Sequence, residues 1–213
     1  MDGFIRKQRD RFTRLGQVVE WKHYGHDIPD DLPDRLRFAG FAPEDDETVM
    51  IGQAVSLAKA VDLPPGVELR EVGSRSDLER IRAMEEAVWG IDHSWLPDAL
   101  EQEMRGSGDP CAVVVAEVGG DVVCAAWVRF HEGTDFASFW GGSTIENWRG
   151  NGIYRALAAY RAALAVSRGF RYVQVDASSD SKPILARLGL LAVATTTPYV
   201  WDGRTVNETF AWR

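Results

Sequence analysis

Two glycines separated by one residue, in the run WRGNGIYRAL (148–157), mark the sharpest change of pattern in this sequence. The run before them, FASFWGGSTI, is apolar and glycine-rich, as a buried strand can be. The run after them, ALAAYRAALAVSRG, has the composition and apolar spacing of a helix. Because glycine adopts left-handed backbone angles that other residues disfavour, the chain is predicted to pass from strand to helix through a glycine turn at 150–152.

The segments around this turn predict an α+β fold. From residue 67 onwards, hydrophobic periodicity and turn signals indicate the order β-α-α-β-β-β-α-β-α-β-β. Three consecutive strands within 111–145 are joined by short turns, which indicates an antiparallel meander. The final two strands are predicted to form a hairpin that turns at Asp202–Gly203. The sheet is therefore expected to be mixed but mostly antiparallel, with helices flanking it.

The run LPPG (63–66) is predicted to be a linker, because prolines and glycine neither continue a helix nor pair in a central strand. We therefore expect an N-terminal α/β extension over 1–66 and a main domain over 67–213. The extension also has a weak internal echo of the main domain, in which Gly40 matches Gly189 and Thr48 matches Thr197. This echo indicates either a degenerate half repeat or the chance recurrence of a common helix–glycine–strand pattern.

Composition limits the classes of partner. The chain has 32 acidic and 24 basic residues, so a net charge of −8 argues against nucleic acid as the main partner. Seven basic residues nevertheless fall within 149–187, which suits a polyanionic small molecule. No apolar run is long enough for a membrane span, and the N-terminal residues lack the apolar core of a signal peptide. We expect a cytoplasmic protein without membrane partners, and a homodimer is left open.

The sequence contains no metal-ligand spacing among its four histidines and two cysteines, so no metal is predicted. Cys111 and Cys124 lie in strand-like runs and are interpreted as buried thiols of a reducing compartment.

The glycine turn has the properties of an anion site. Backbone N–H groups at the start of a helix have no acceptor within the helix, and the helix dipole there favours negative charge. Glycines let the backbone approach a phosphate closely, and Arg149 and Arg155 add positive charge. The run lacks the third glycine of a dinucleotide fingerprint and the Gly-Lys-Ser/Thr of a P-loop.

In this context the turn resembles motif A of the Gcn5-related N-acetyltransferases (GNAT), whose pattern is Arg/Gln-x-x-Gly-x-Gly/Ala after the fourth strand. Arg149, Gly152 and Tyr154 occupy the three positions, so tyrosine replaces the last small residue. KPILARLGL (182–190) resembles motif B, and the resemblance extends over 67–213. ASFWGGSTIENWRGNGIYRAL, YVQVDAS and TTTPYVW are similar to a branch of the family that carries an N-terminal extension.

The resemblance implies an acetyl-CoA-dependent N-acetyltransferase that acts on a small amine or a peptide amine. The pantetheine arm is expected to pair with the strand at Ser143, Thr144 and Ile145, and the N–H of Thr144 or Ile145 would meet the thioester oxygen. Tyr154 could cover the phosphates or pack into the core. The expected pyrophosphate and rim contacts are Arg149, Gly150, Asn151, Gly152, Ile153, Tyr154 and Arg155.

The chemical groups depart from the family pattern. Leu185 stands where motif B often has the tyrosine that supplies a proton, and Ser178 stands in place of a frequent asparagine. Ser178 is the first candidate for the acid and Asp176 for the base, although Asp176 is equally suited to capping a loop. The missing tyrosine leaves an alternative open, which is a non-catalytic acyl-CoA-binding regulatory module.

Overall fold

The computed structural model describes residues 1–106 and 110–203, which pack as two compact units. The N-terminal unit contains residues 1–50, 176–182 and 192–203, and the central unit contains the described residues within 51–175 and 183–191. Each unit is built from separate stretches of the chain, because the units are defined by which residues pack together. The boundary expected at residue 66 instead divides the sequence into two consecutive parts, and it stays a prediction.

The described residues form nine strands and seven α-helices. The strands are β1 (Val18–Tyr24), β2 (Ala42–Pro43), β3 (Glu47–Gln53), β4 (Val67–Glu71), β5 (Cys111–Val118), β6 (Asp121–Phe130), β7 (Phe136–Thr144), β8 (Tyr172–Ala177) and β9 (Leu191–Asp202). The helices are α1 (Asp2–Leu15), α2 (Leu32–Phe38), α3 (Ala54–Leu57), α4 (Arg75–Trp89), α5 (Leu96–Arg105), α6 (Ile153–Ser167) and α7 (Lys182–Arg187).

An antiparallel meander forms the sheet of the central unit. Strands β4, β5, β6 and β7 pair in this order, and each is antiparallel to the next. Strand β8 joins β7 in parallel, over a register that runs from Phe136 and Tyr172 to Ser138 and Gln174. Strand β7 continues beyond this register to Thr144, and the residues expected at the cofactor site follow there.

Helices cover both faces of this meander, because successive residues of a strand point to opposite sides. Val113 and Val115 of β5 pack with Leu78 and Ile81 of α4, and α5 contributes Leu100 to the same cluster. On the other face, residues of β5 and β6 pack against α6; this second cluster consists of Val67, Val114, Ala116, Val123, Cys124, Ala126, Ile153 and Leu157.

The N-terminal unit has its own apolar core. Strand β9 is its central strand, since β1 and β2 both pair with it antiparallel and β3 is also its neighbour in the sheet. Helices α1 and α2 contribute the fully buried side chains of Ile5 and Leu36, and Tyr199 of β9 belongs to the same cluster.

The predicted fold class and most of the predicted elements are confirmed, including the meander and the helix that follows the glycine turn. Strand β1 was missed, because its residues are half-buried almost throughout and lack the alternation that signals a strand. The first strand of the predicted C-terminal hairpin is β9. Its return strand would fall on residues that lie outside the described part of the chain.

Leu157 attaches α6 to the meander, and its loss is expected to destabilise the protein. Leu157 is fully buried, so Leu157→Ala should lower the free energy of unfolding by about 2–5 kcal/mol. Leu164→Ala is the control on the same helix, where the side chain is only partly buried. Urea unfolding measures both changes, and equal losses would contradict the packing of α6.

Candidate functional site

The glycine turn and the first turn of α6 form a continuous backbone surface in the central unit. Gly150 and Gly152 both adopt left-handed angles, with φ of 78° and 82°. The first helical bond joins the N–H of Ala156 to the carbonyl of Gly152, so the N–H groups before Ala156 point out of the helix end. The helix is 15 residues long and has no acidic residue in its first turn. This backbone surface, the cradle, has the geometry and dipole that suit an anion.

Polar side chains of the cradle stabilise its backbone. The Nε of Arg149 donates to the carbonyl of Thr144 at 2.9 Å, and this bond joins the cradle to the end of β7. The amide of Asn151 donates to the carbonyl of Arg149 at 3.2 Å. The Arg155 side chain is exposed at the rim, close to Gly152. Arg149 therefore has a structural contact in addition to its charge.

Strand β7 has a bulge at Gly142, just before the cradle. Ala126 pairs with Gly141 and Ala125 pairs with Ser143, so Gly142 is the extra residue. Gly142 has a φ of 109°, and the ring of Tyr154 lies so close that an added Cβ would be 2.7 Å from it. The Tyr154 ring therefore packs against the bulge of β7 and is half-buried there, and both roles considered for this residue stay predictions.

The end of β7 presents one backbone N–H away from the meander. The N–H of Ile145 donates to Val123 at 3.0 Å, which makes these two residues a hydrogen-bonded pair. Cys124 and Thr144 form the next pair of the register, so the N–H of Thr144 points away from β6. Of the two N–H groups expected to serve a thioester oxygen, that of Ile145 is already used, and Thr144 is the better placed.

A buried arginine connects α6 with the bulged strand. Arg161 is 1% exposed, and its NH1 donates to the carbonyls of Trp127 on β6 and Trp140 on β7. Its guanidinium also lies over the Phe139 ring, 4.3 Å from the centroid. Burial lowers the pKa of Arg161. Sequence analysis missed this residue, because an arginine in an Ala-rich helix is normally expected to lie on the face of the helix that is exposed to solvent.

A buried carboxyl lies beside the same strand. Glu85 of α4 is 4% exposed, and its Oε2 accepts a hydrogen bond from Trp89 Nε1 at 2.8 Å. The same indole nitrogen is 3.1 Å from the Oγ of Ser143. Sequence analysis also missed Glu85, although its spacing from Leu78 and Ile81 places it on the apolar face of α4.

The two residues considered for acid–base chemistry, Asp176 and Ser178, belong to the N-terminal unit. Asp176 forms an ion pair with Lys22 at 2.9 Å, and Lys22 also contacts Glu47 at 2.7 Å. Burial alone would lower the pKa of Lys22, but the hydrogen bonds to Glu47 and Asp176 raise it above its usual range. Ser178 is exposed, and its Oγ accepts from the backbone N–H of Ser181 at 3.3 Å.

The ten residues expected to hold the cofactor all fall in the central unit, whereas Asp176 and Ser178 fall in the other. Both acid–base assignments stay predictions. The Lys22 ion pair gives Asp176 a structural role that sequence analysis did not foresee, since β1 itself was not predicted.

The two cysteine thiols offer little further chemistry. Burial raises the pKa of Cys111 to about 12 and that of Cys124 to about 11, so both stay protonated at neutral pH. Over 1–106 and 110–203, no three His, Cys, Asp or Glu side chains lie where they could hold a metal ion. None of the helices in these ranges is both long enough and apolar enough to cross a membrane.

The bulge can be tested through Gly142 and Tyr154. Gly142→Ala should destabilise the protein by more than the roughly 1–3 kcal/mol that left-handed backbone strain costs, because its Cβ meets the Tyr154 ring. Gly133→Ala, at a φ of 76° in open space, is the control for strain alone. Tyr154→Ala in the Gly142→Ala background should recover the difference between the two variants in urea unfolding. No recovery would contradict the contact.

Comparison with known proteins gives structural likeness only. No protein-family model matches the chain, and no curated protein matches it either. A GCN5-related N-acetyltransferase from Kribbella flavida superposes with a TM-score of 0.66 at 17% identity, over 93% of this chain and 74% of the other. One from Sphaerobacter thermophilus gives 0.63 at 19%, over 93% of this chain and 64% of the other.

A third solved structure is a tandem GNAT protein from the clavulanic acid biosynthesis pathway, without AcCoA. It superposes with a TM-score of 0.65 at 16% identity, over 93% of this chain and 68% of the other. At these identities the likeness concerns the fold. Together with the meander, the parallel β8 and the glycine turn before α6, it shows that this chain has the fold of the Gcn5-related N-acetyltransferases.

Proposed function

We propose that the protein is an N-acetyltransferase that uses acetyl-CoA as the acyl donor and acetylates the amine of a small molecule or peptide. The cradle is the observation that carries this proposal. Two left-handed glycines, outward N–H groups and a helix dipole without an acidic residue in the first turn suit the pyrophosphate of a CoA ester.

The residues at the end of β7 extend this fit. The outward N–H of Thr144 is able to bond a pantetheine amide or the oxygen of a thioester carbonyl, and Ser143 and Ile145 flank it. When bound, acetyl-CoA supplies the activated acetyl group. The chain's own residues would orient the donor, with the cradle holding the pyrophosphate and Thr144 bonding the pantetheine or the thioester oxygen.

Replacement of Gly152 tests the cradle. Gly152→Ala should weaken acetyl-CoA binding at least tenfold, because alanine disfavours a φ of 82° and the local backbone must shift. Gly169→Ala, at a φ of 88° just beyond the other end of α6, is the matched control and should bind like the unaltered protein. Calorimetry measures both affinities. Equal affinities, or no micromolar binding by the unaltered protein, would refute the assignment.

One observation favours a second function, a non-catalytic acyl-CoA-binding regulatory module. Leu185 occupies the place of the motif B tyrosine, and its hydrocarbon side chain has no proton to supply. A thiol-release assay with tyramine, spermidine, ethanolamine and a tripeptide with a free N-terminus separates the two functions. An enzyme is expected to release thiol at least tenfold faster with a preferred amine than without one. Binding of acetyl-CoA with no amine-dependent release would favour the module.

A further inference from the structure

Trp89, the last residue of α4, presents a fixed aromatic surface in the central unit. The residue is 46% exposed, and Gly90 ends the helix directly after it. A single exposed tryptophan needs no explanation by itself. What distinguishes Trp89 is that two hydrogen bonds hold its ring in place, and that one of them comes from the strand of the proposed donor site.

The indole N–H of Trp89 is shared between two acceptors. Glu85 Oε2 lies 2.8 Å from Nε1, and Ser143 Oγ lies 3.1 Å from it. Glu85 is one turn earlier on α4, whereas Ser143 is on β7, so the shared N–H joins the end of the helix to the end of the strand. Because the ring cannot turn away without losing both bonds, its exposed part has a defined position.

The buried carboxyl of Glu85 is a costly way to hold this ring. Glu85 is 4% exposed, on the helix face that also buries Leu78 and Ile81. A leucine at this position would avoid the free energy that burial of a carboxyl costs. The Glu85 carboxyl accepts the hydrogen bond of Trp89, so positioning the indole is the role that the geometry gives it.

The ring lies beside the end of β7, where the thioester of the proposed donor is expected. Ser143 directly precedes Thr144, and the two side chains leave opposite faces of the strand. Ser143 contacts Trp89 on the α4 side, whereas Thr144 Oγ1 donates to Cys124, which belongs to the cluster that packs against α6. The cradle begins α6. The indole therefore lies on the face of β7 from which an acceptor can approach without displacing the pyrophosphate.

The chemistry of this surface favours an aromatic ligand. Because the N–H of Trp89 is already bonded, the exposed part of the ring offers its π-face and hydrocarbon edge. The nearby carboxylates are also engaged, since Glu86 accepts from the N–H of His93 and Asp92 accepts two hydrogen bonds from Ser94. A second ammonium on the acceptor would need a free carboxylate, whereas an aromatic ring needs only the indole against which to pack.

Resting on the proposed function, we infer that Trp89 determines which acceptor is used, and that the acceptor is an arylalkylamine. Its aromatic ring packs on the exposed indole, and its short alkyl chain carries the amine to the acetyl group beside Thr144. The amine nitrogen bonds to the acetyl carbon as the carbon–sulfur bond breaks; one ammonium proton ends on the thiol and the other in solvent. Glu85 is a positioning residue that acts through Trp89. Of the four amines named above, tyramine has this structure.

Substrate preference gives the first test, measured by thiol release. The unaltered protein should have a kcat/KM for tyramine at least tenfold above that for ethanolamine. Trp89→Leu should lower the tyramine value about tenfold or more, chiefly through KM, because the ring contact is lost. The ethanolamine value and the acetyl-CoA affinity should not change. Trp95→Leu removes an indole of the same unit that is equally exposed, at 45%, and should keep the preference.

The second test follows the Trp89 indole itself and needs no turnover. Its N–H resonance is assigned by its loss in Trp89→Phe. In the presence of coenzyme A, tyramine should shift this resonance and ethanolamine should not. The Trp95 resonance, assigned in the same way with Trp95→Phe, should stay fixed with both amines. A Trp89 resonance that tyramine leaves unmoved would overturn the inference.

A third test separates positioning by Glu85 from a purely structural role. Glu85→Leu should be at least as stable as the unaltered protein in urea unfolding, because a buried carboxyl is removed. Its indole N–H should exchange faster with solvent, and its preference for tyramine should fall at least threefold. Glu85→Gln retains an oxygen that accepts the N–H and should restore the preference. A Glu85→Leu variant that keeps the full preference would overturn the positioning role.

The outcomes distinguish the inference from the function on which it rests. No thiol release with any of the four amines would overturn the proposed function and the inference together. Similar kcat/KM values for tyramine and ethanolamine, or a tyramine preference that survives in Trp89→Leu, would overturn the inference alone. A preference for spermidine that Trp89→Leu abolishes would overturn the arylalkylamine and assign the indole to a cation.

Discussion

The buried guanidinium of Arg161 holds the candidate site together. Its bonds to the carbonyls of Trp127 and Trp140 attach α6 to two strands of the meander. Trp127 and Trp140 pair with each other, and Trp140 lies two residues before the bulge at Gly142. An arginine in the protein interior needs partners that replace its lost hydration, and for Arg161 these are two carbonyls and the face of the Phe139 ring. Because the cradle begins α6, the position of its outward N–H groups depends on this one side chain and on the apolar packing of Leu157.

The bulge and the cradle depend on each other. Gly142 leaves room for the ring of Tyr154, and Tyr154 lies in the first turn of α6. Arg149 joins the same two regions from the other side through the carbonyl of Thr144. The replacement of a small motif A residue by tyrosine is therefore matched by a glycine on β7, so the departure from the family pattern is accommodated within the strand. We regard this pair as one packing unit.

Sequence alone predicted the fold class, the meander and the glycine turn, because each rests on local periodicity or on the conformational freedom of glycine. Contacts between distant segments could not be predicted in this way. The Lys22–Asp176 ion pair needs β1, whose residues are half-buried almost throughout and lack a regular alternation of apolar and polar side chains. Glu85 did leave a signal, since it interrupts the apolar face of α4, but a hydrophobic pattern does not show that the Trp89 indole N–H contacts both Glu85 and Ser143.

Strand β1 has a consequence for how the protein is made. It pairs with β9, and the bond between His23 and Thr196 joins residues 173 positions apart. During synthesis, α1 and β1 leave the ribosome long before β9 has been translated. The strands of the central meander are all translated in the interval between them. Pairing at such separation closes slowly, and unpaired strand edges are prone to wrong associations. The N-terminal unit therefore cannot complete its sheet until β9 is translated, and the edge of β1 that pairs with β9 stays uncovered during that interval.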